Sequence, residues 1–310
     1  MPYMLAMARL DAIVYRVGGV HPCYVSEHDC SIARDIDFYR SLSRLKSQVR
    51  SDISSGFYSL SPLRYARSFV TYVDTVLPLR DGSFKQSFLG CAYEAFDGRG
   101  RREFISTCPT NYLSSEAYAL LDSFKALGEV IEARYMDERV SDLIRELPRA
   151  PLLTTFGLKG ERIPGEVGAV IERRNGSFEA SSPGLPYRAK ASDPYDALLA
   201  LERSLSEDPS PARGHILRSD PIFGSVDVQL SLKESFFIKR FLISIAPCKN
   251  GTRYYRAYGP QAGVTTKSAT VEGALQNIKD AIALKYHETP AKDVERDLKA
   301  RPILTTARLN

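Results

Sequence analysis

The chain lacks most of the sequence features that announce an activity. No apolar run is long enough to span a bilayer, so a membrane-spanning role is not expected. Arg9 and Asp11 interrupt the short apolar stretch near Met1, and no basic residue precedes it, which argues against a secretory leader. The five cysteines, Cys23, Cys30, Cys91, Cys108 and Cys248, are odd in number and scattered. Such spacing does not suit a secreted disulfide framework and points to reduced thiols in a cytoplasmic protein. There is no Walker loop, dinucleotide fingerprint or nucleophile elbow, and the glycines punctuate turns instead. Charge is nearly balanced at a formal +5, which permits contact with nucleic acid without requiring it.

What is present is a soluble composition, 44% hydrophobic and 25% charged over 310 residues, enough for about two domains of ordinary size. The clearest local pattern runs from Phe241 to His287. Phe241, Ile243 and Ile245 alternate with Leu242 and Ser244, Asn250-Gly251 supplies a tight turn, and Tyr254 to Tyr258 returns as a strand. After the polar stretch Val264 to Ser268, Thr270 is placed to cap a helix carrying Val271, Ala274, Leu275, Ile278 and Ile282 on one stripe.

The same order of hairpin and helix recurs three times upstream. Ala12 to Val17 and Val20 to Val25 form a hairpin before a helix with Ile36, Phe38, Leu42, Leu45 and Val49 on one face. Phe69 to Leu79 and Phe84 to Phe96 flank a turn at Arg80-Asp81-Gly82, and Ser114 or Ser115 is placed to cap the next helix. Val167 to Arg173 and Ser177 to Ser182 flank Asn175-Gly176, followed by Asp193 as cap and Pro194 at the first helical position. A short helix is expected around Val140 to Leu147.

The halves also match in sequence. Arg145, Leu147, Pro151, Leu153, Thr154 and Thr155 recur as Arg296, Leu298, Pro302, Leu304, Thr305 and Thr306, at one offset of 306 − 155 = 151 residues. These matches predict an α+β fold built by tandem duplication. The expected halves are 1–155, with modules at about 10–52 and 68–135, and 156–310, with modules at about 166–207 and 238–288. Each module is read as ββ(β)α, an antiparallel sheet covered by a helix.

The last module resembles the HicB-like antitoxin family, a reduced version of the ribonuclease H arrangement. The residues that carry this are Phe241 to Pro247, Asn250-Gly251, Gly259-Pro260 and the series from Thr270 to Ile282, with weaker echoes at Asn175-Gly176, Pro183 to Pro186 and Pro194 to Leu205. The resemblance implies a curled sheet with a helix across it and a protein partner, typically a small RNA-cleaving toxin. Family modules associate with one another, so the fused chain is expected to act as an internal pseudo-dimer or pseudo-tetramer. No added DNA-binding segment is evident.

Three functional readings follow. The first is a non-catalytic binding or regulatory protein acting through a protein partner. The second is an RNA- or single-stranded-DNA-binding protein using Lys249, Arg253, Tyr254, Tyr255, Arg256 and Tyr258, where bases interleave with aromatics as they do on surfaces that stack nucleobases and hold phosphates. At a period of two, Tyr254, Arg256 and Tyr258 share one face and Arg253 and Tyr255 the other; Arg99, Arg101 and Arg102 offer further positive charge. The third is a metal-dependent nuclease, which needs converging carboxylates such as Asp74, Asp81, Glu94 and Asp227. His21, Cys23, His28 and Cys30 resemble a zinc ligand set in residue type. Their spacing is not that of a common structural zinc site, and the repeat aligns them with Phe178, Ala180, Leu185 and Tyr187, so they read as core positions. No catalytic residue, metal or cofactor is assigned.

Overall fold

Alternating burial along paired strands sets the architecture. In the computed structural model the described residues are 9–14, 21–25, 28–35, 38–55, 68–96, 99–111, 113–141, 152–157, 165–212, 217, 221–232, 236–250, 252–299 and 301–308. The chain divides into two units, Met1–Glu161 and Arg162–Asn310. The fold is α+β with antiparallel strand pairing. No helix among the described residues is long and apolar enough to cross a membrane.

In the first unit, β1 (Arg9–Val14), β2 (His21–Val25), β3 (His28–Asp35) and α1 (Phe38–Ser54) come first. They precede β4 (Ser68–Leu79), β5 (Gly82–Phe96), β6 (Arg102–Cys108), β7 (Leu113–Ala117), α2 (Leu120–Tyr135) and β8 (Leu152–Gly157). Strand β1 pairs with both β8 and β2, and β2 with β3. Strands β4 to β7 pair in sequence order.

The second unit repeats this order. It contains β9 (Glu166–Arg174), β10 (Ser177–Ser181), β11 (Arg188–Ala191) and α3 (Pro194–Glu207). Next come β12 (Ile222–Ser231), β13 (Phe236–Asn250), β14 (Thr252–Gly259) and β15 (Val264–Ser268). Helices α4 (Val271–Lys285) and α5 (Ala291–Lys299) and strand β16 (Ile303–Arg308) complete it. Here β9 pairs with β16 and β10, and β10 with β11, while β12 to β15 again pair in order.

Turn and cap chemistry explain where the elements stop. Asn175 and Gly176 both take positive φ, 49° and 82°, as a two-residue hairpin turn requires. Asp193 accepts backbone N–H bonds from Tyr195 and Asp196, and Pro194 opens α3 without a missing donor. Thr270 Oγ1 accepts from Gly273 N at 3.0 Å, capping α4. Ser114 and Ser115 do not cap α2 as expected. They lie within β7, and the N-cap is Ala119, which makes no side-chain cap bond. The hydroxyl of Ser115 instead donates to Ser123 O, as does that of Ser106, tying β6 and β7 to the helix.

Other strands differ from the sequence reading, which assigned none at β8 or β16. Val264–Ser268 is a ladder strand rather than a polar crossing, and β3 and β11 add a third strand to their hairpins. All three are short or polar, so no apolar alternation marks them. Of the expected helix near Val140, most lies outside the described residues.

The core forms where helices cover sheets. Helix α2 packs on β4 to β7, and α4 on β12, β14 and β15. Phe69, Leu77, Phe104, Leu120, Leu127 and Ile131 are sealed in the first unit, and Phe241, Ile243, Ile245, Ile278 and Ile282 in the second. Each such side chain contributes about 1.5–3 kcal/mol of burial. Gly259 permits a close approach of β14 and α4, because a Cβ there would stand 3.3 Å from Ile282 Cδ1. That contact also fixes which face of β14 looks toward α4.

Candidate nucleic-acid interface

Strand β14 lies between β13 and β15, so its side chains alternate between the helix and the opposite face. Tyr255 and Ala257 share the side of Gly259 and are 7% and 0% exposed. Tyr255 therefore supports the sheet and is withdrawn from any surface. Tyr254, Arg256 and Tyr258 stand on the helix-free face, each half-buried.

Strand β15 extends this face. Lys267 is the cross-strand partner of Arg256, and Thr265 of Tyr258. Lys267 is exposed, and its Nζ lies 5.3 Å from the centroid of the Tyr254 ring, a cation held against an aromatic. Asn277 of α4 donates to Lys267 O at 2.9 Å and fixes the backbone of this edge. Lys249 and Arg253 are paired at the far end of the β13–β14 ladder; their side chains lie outside the described residues.

A second set of charges lies on β9 to β11. The Glu179 carboxylate, 7% exposed, receives Arg188 Nη1 at 3.0 Å, Lys190 Nζ at 3.4 Å and Arg174 Nη1 at 3.9 Å. Arg174 also donates through Nε and Nη2 to Glu172. Burial alone would raise the Glu179 pKa, but the Arg188 hydrogen bond, the Arg174 charge and the Lys190 contact hold it below the usual carboxylate value.

Tyr258 feels the charges of this second set. Its pKa is raised, first by burial and then by the negative charge of Glu172, while Arg174 and Arg188 pull the other way. The charges of Glu172, Arg174 and Arg188 are therefore felt at Tyr258. Sequence reading missed Arg174, Arg188 and Lys190. Their only signal was the alternation of base and small residue in Arg188-Ala189-Lys190-Ala191, which marks a strand as readily as a site.

The first unit presents different chemistry at the matching place. Strands β7 and β15 stand 151 residues apart (264 − 113 = 151), and the pair Ile105–Glu116 occupies the register position of Arg256–Lys267. Glu103, Ile105 and Thr107 stand where Tyr254, Arg256 and Tyr258 stand. The ladder and its burial alternation match, and the face is acidic and apolar in the first unit and basic and aromatic in the second. Arg101 and Arg102 lie against neighbouring rings. Arg101 Nη2 donates to the Tyr118 hydroxyl at 2.6 Å with its guanidinium 4.7 Å from that ring, and Arg102 lies over Phe104.

The isolated acids are placed singly. Asp74 accepts from Ser87, Asp81 from Val140 N, and Asp227 holds Arg240 through two bonds of 2.8 and 3.1 Å. Glu94 is buried in β5. Among the described residues no three His, Cys, Asp or Glu side chains are grouped to hold one metal ion. His21 and Cys23 lie on β2 and His28 and Cys30 on β3; the ladder sets His28 opposite Val25 and Cys23 opposite Ala33, and the four side chains lie outside the described residues. Comparison with family models, curated proteins and solved structures gave no match to this chain.

Proposed function

We propose that the protein is a binding protein for single-stranded RNA or DNA, using the helix-free face of β14 and β15 in the second unit. The observation that carries this reading is the contrast at one register position, with Arg256–Lys267 in the second unit and Ile105–Glu116 in the first. Scaffold requirements are the same at both places, so they do not account for the change in charge. Tyr254 and Tyr258 supply rings for stacking unpaired bases, and Arg256 and Lys267 supply phosphate partners. The same strand order and pairing in both units, together with the 151-residue offset, support a tandem duplication of two hairpin-helix modules per half. One copy would then have diverged toward binding. The test is fluorescence anisotropy with a labelled oligo(U) on the whole chain. Arg256→Glu together with Lys267→Glu weakens binding and flattens its salt dependence; unchanged affinity removes this face from consideration.

A second reading, a protein partner of the kind the HicB-like resemblance implies, has its own observation. Phe236 and Ile238 are 61% and 72% exposed on β13, opposite Ser231 and Gln229. Two adjacent large apolar side chains on the solvent side of a strand suit a protein contact. Co-purification of the tagged chain from its native host, lost on Phe236→Ser with Ile238→Ser, would favour it; a free monomer in every preparation would count against it.

A further inference from the structure

We infer that Arg174, Arg188 and Lys190, gathered on the buried carboxylate of Glu179, form a phosphate-binding site on the helix-free face of β9 to β11. The geometry is that of cations positioned by an anion beneath them. Glu179 is almost fully enclosed, at 8% side-chain exposure, whereas Arg174, Arg188 and Lys190 are 52%, 61% and 66% exposed. Their heads converge on one carboxylate while each side chain stays more than half exposed.

Counting donors shows how much is left for a ligand. Arg188 uses one N–H on Glu179, and a guanidinium has five. Lys190 has three and commits one. Arg174 is the most engaged, with Nε and Nη2 on Glu172. Three cations face two carboxylates, so the cluster carries positive charge beyond what its own acids neutralise. A phosphate accepts from guanidinium and ammonium donors at short, charge-assisted distances. Because Glu179 already holds the three chains in place, the ordering cost of binding is reduced.

A purely structural role accounts for Glu179 joining β10 to β11, across which it faces Lys190. It does not account for a second and third cation from β9 and from the far end of β11. The ligand fits the site as a phosphodiester or a polyphosphate. The nucleic-acid identity of that ligand rests on the reading above, whereas the phosphate chemistry does not. If both hold, a single strand stacks bases on Tyr254 and Tyr258 and sets backbone phosphates on Arg188 and Lys190.

The test uses the full chain and the double variant Arg188→Gln with Lys190→Gln, its urea midpoint measured beside the wild type's because Glu179 keeps only Arg174 as a partner in it. Two probes are titrated: inorganic tripolyphosphate by calorimetry, and labelled oligo(U) by anisotropy over a range of salt. The expected result is tripolyphosphate binding to the wild type that falls about tenfold or more in the variant. The oligonucleotide salt slope should fall by about 1.4, two contacts at about 0.7 each on a single strand. Tripolyphosphate that binds neither protein, or both equally, overturns the site even if the oligonucleotide binds. Tripolyphosphate binding that depends on Arg188 and Lys190, with no oligonucleotide binding, keeps the site and overturns the nucleic-acid reading.

Discussion

Tyr286 stacks on Phe241, their ring centroids 5.8 Å apart at an interplanar angle of 24°, and closes the C-terminal end of α4 over β13. Tyr135 stands in the same relation to Phe88 at the end of α2, at 6.0 Å and 16°. Each tyrosine follows a cation that lies over its ring, Arg134 at 5.4 Å and Lys285 at 5.9 Å. A core clasp of this kind, made twice in two units, ties the last turn of each helix to the strand it covers. In the second unit it is reinforced, because the Tyr286 hydroxyl donates to Asp297 of α5 at 3.0 Å.

Removing this clasp should cost more than removing its polar handle. Tyr286→Ala empties a fully buried aromatic site and is expected to destabilise the chain by about 3–5 kcal/mol. Tyr286→Phe keeps the stack and loses one hydrogen bond, about 1 kcal/mol. Urea unfolding of the three proteins measures both, and equal losses would show that the stack contributes nothing.

Neighbouring tyrosines on β14 should separate into two roles. Tyr254→Ala is expected to weaken oligo(U) binding by about 1–3 kcal/mol with little change in stability, since its ring is on the open face. Tyr255→Ala should do the reverse, lowering the urea midpoint because Tyr255 is 7% exposed. Anisotropy and urea titration on each variant check the pair.

Cys108 gives the chain an alkaline limit. Burial pushes its thiol up to about 11, against smaller lowering contributions from hydrogen bonds with Thr110 and Asn111. In the unfolded chain the thiol ionises at lower pH, so the folded form binds more protons between the two values. Stability is therefore intact below the ordinary thiol value and falls as pH rises toward 11, by up to about 3 kcal/mol. Cys108→Ala should flatten this part of the pH profile, and a thiol reagent at pH 8 should reach Cys108 only on unfolding.

Glu179 sets the opposite limit. Its folded pKa is lowered, so its contribution is present above the unfolded carboxylate value and is lost as pH falls through the folded one. All three cationic partners are more than half exposed, so solvent screens part of this contribution. Glu179→Gln should remove that acid dependence in a urea-midpoint series below pH 5.

Replacing Thr270 tests the cap read from sequence. Thr270→Ala should cost about 1 kcal/mol, since it leaves Gly273 N without its acceptor, whereas Ser114→Ala in β7 should cost under about 0.5 kcal/mol.

Local chemistry explains which parts were legible. Asn175-Gly176, Asp193-Pro194 and Thr270 declared their roles because turn and cap geometry depends on few residues. The α2 start was misread because serines before an apolar run suit a cap and an exposed edge strand alike, and only the ladder with β6 decides between them. The short strands β3, β11 and β15 were hidden for the same reason, since their polar letters carry no period-two apolar signal. The site was half visible. Alternation along Tyr254 to Tyr258 separated the open face from Tyr255, but the gathering of Arg174, Arg188 and Lys190 on Glu179 depends on the pairing of β9, β10 and β11.

The exchange of Ile105–Glu116 for Arg256–Lys267 bears finally on stoichiometry. A polyanion that approaches the face of the first unit meets Glu103 and Glu116, whose charge repels it, while the same approach to the second unit meets cations. A chain with two copies of one topology would then saturate at one strand per molecule. Its titration curve would be hyperbolic, without the second step that a doubled site produces.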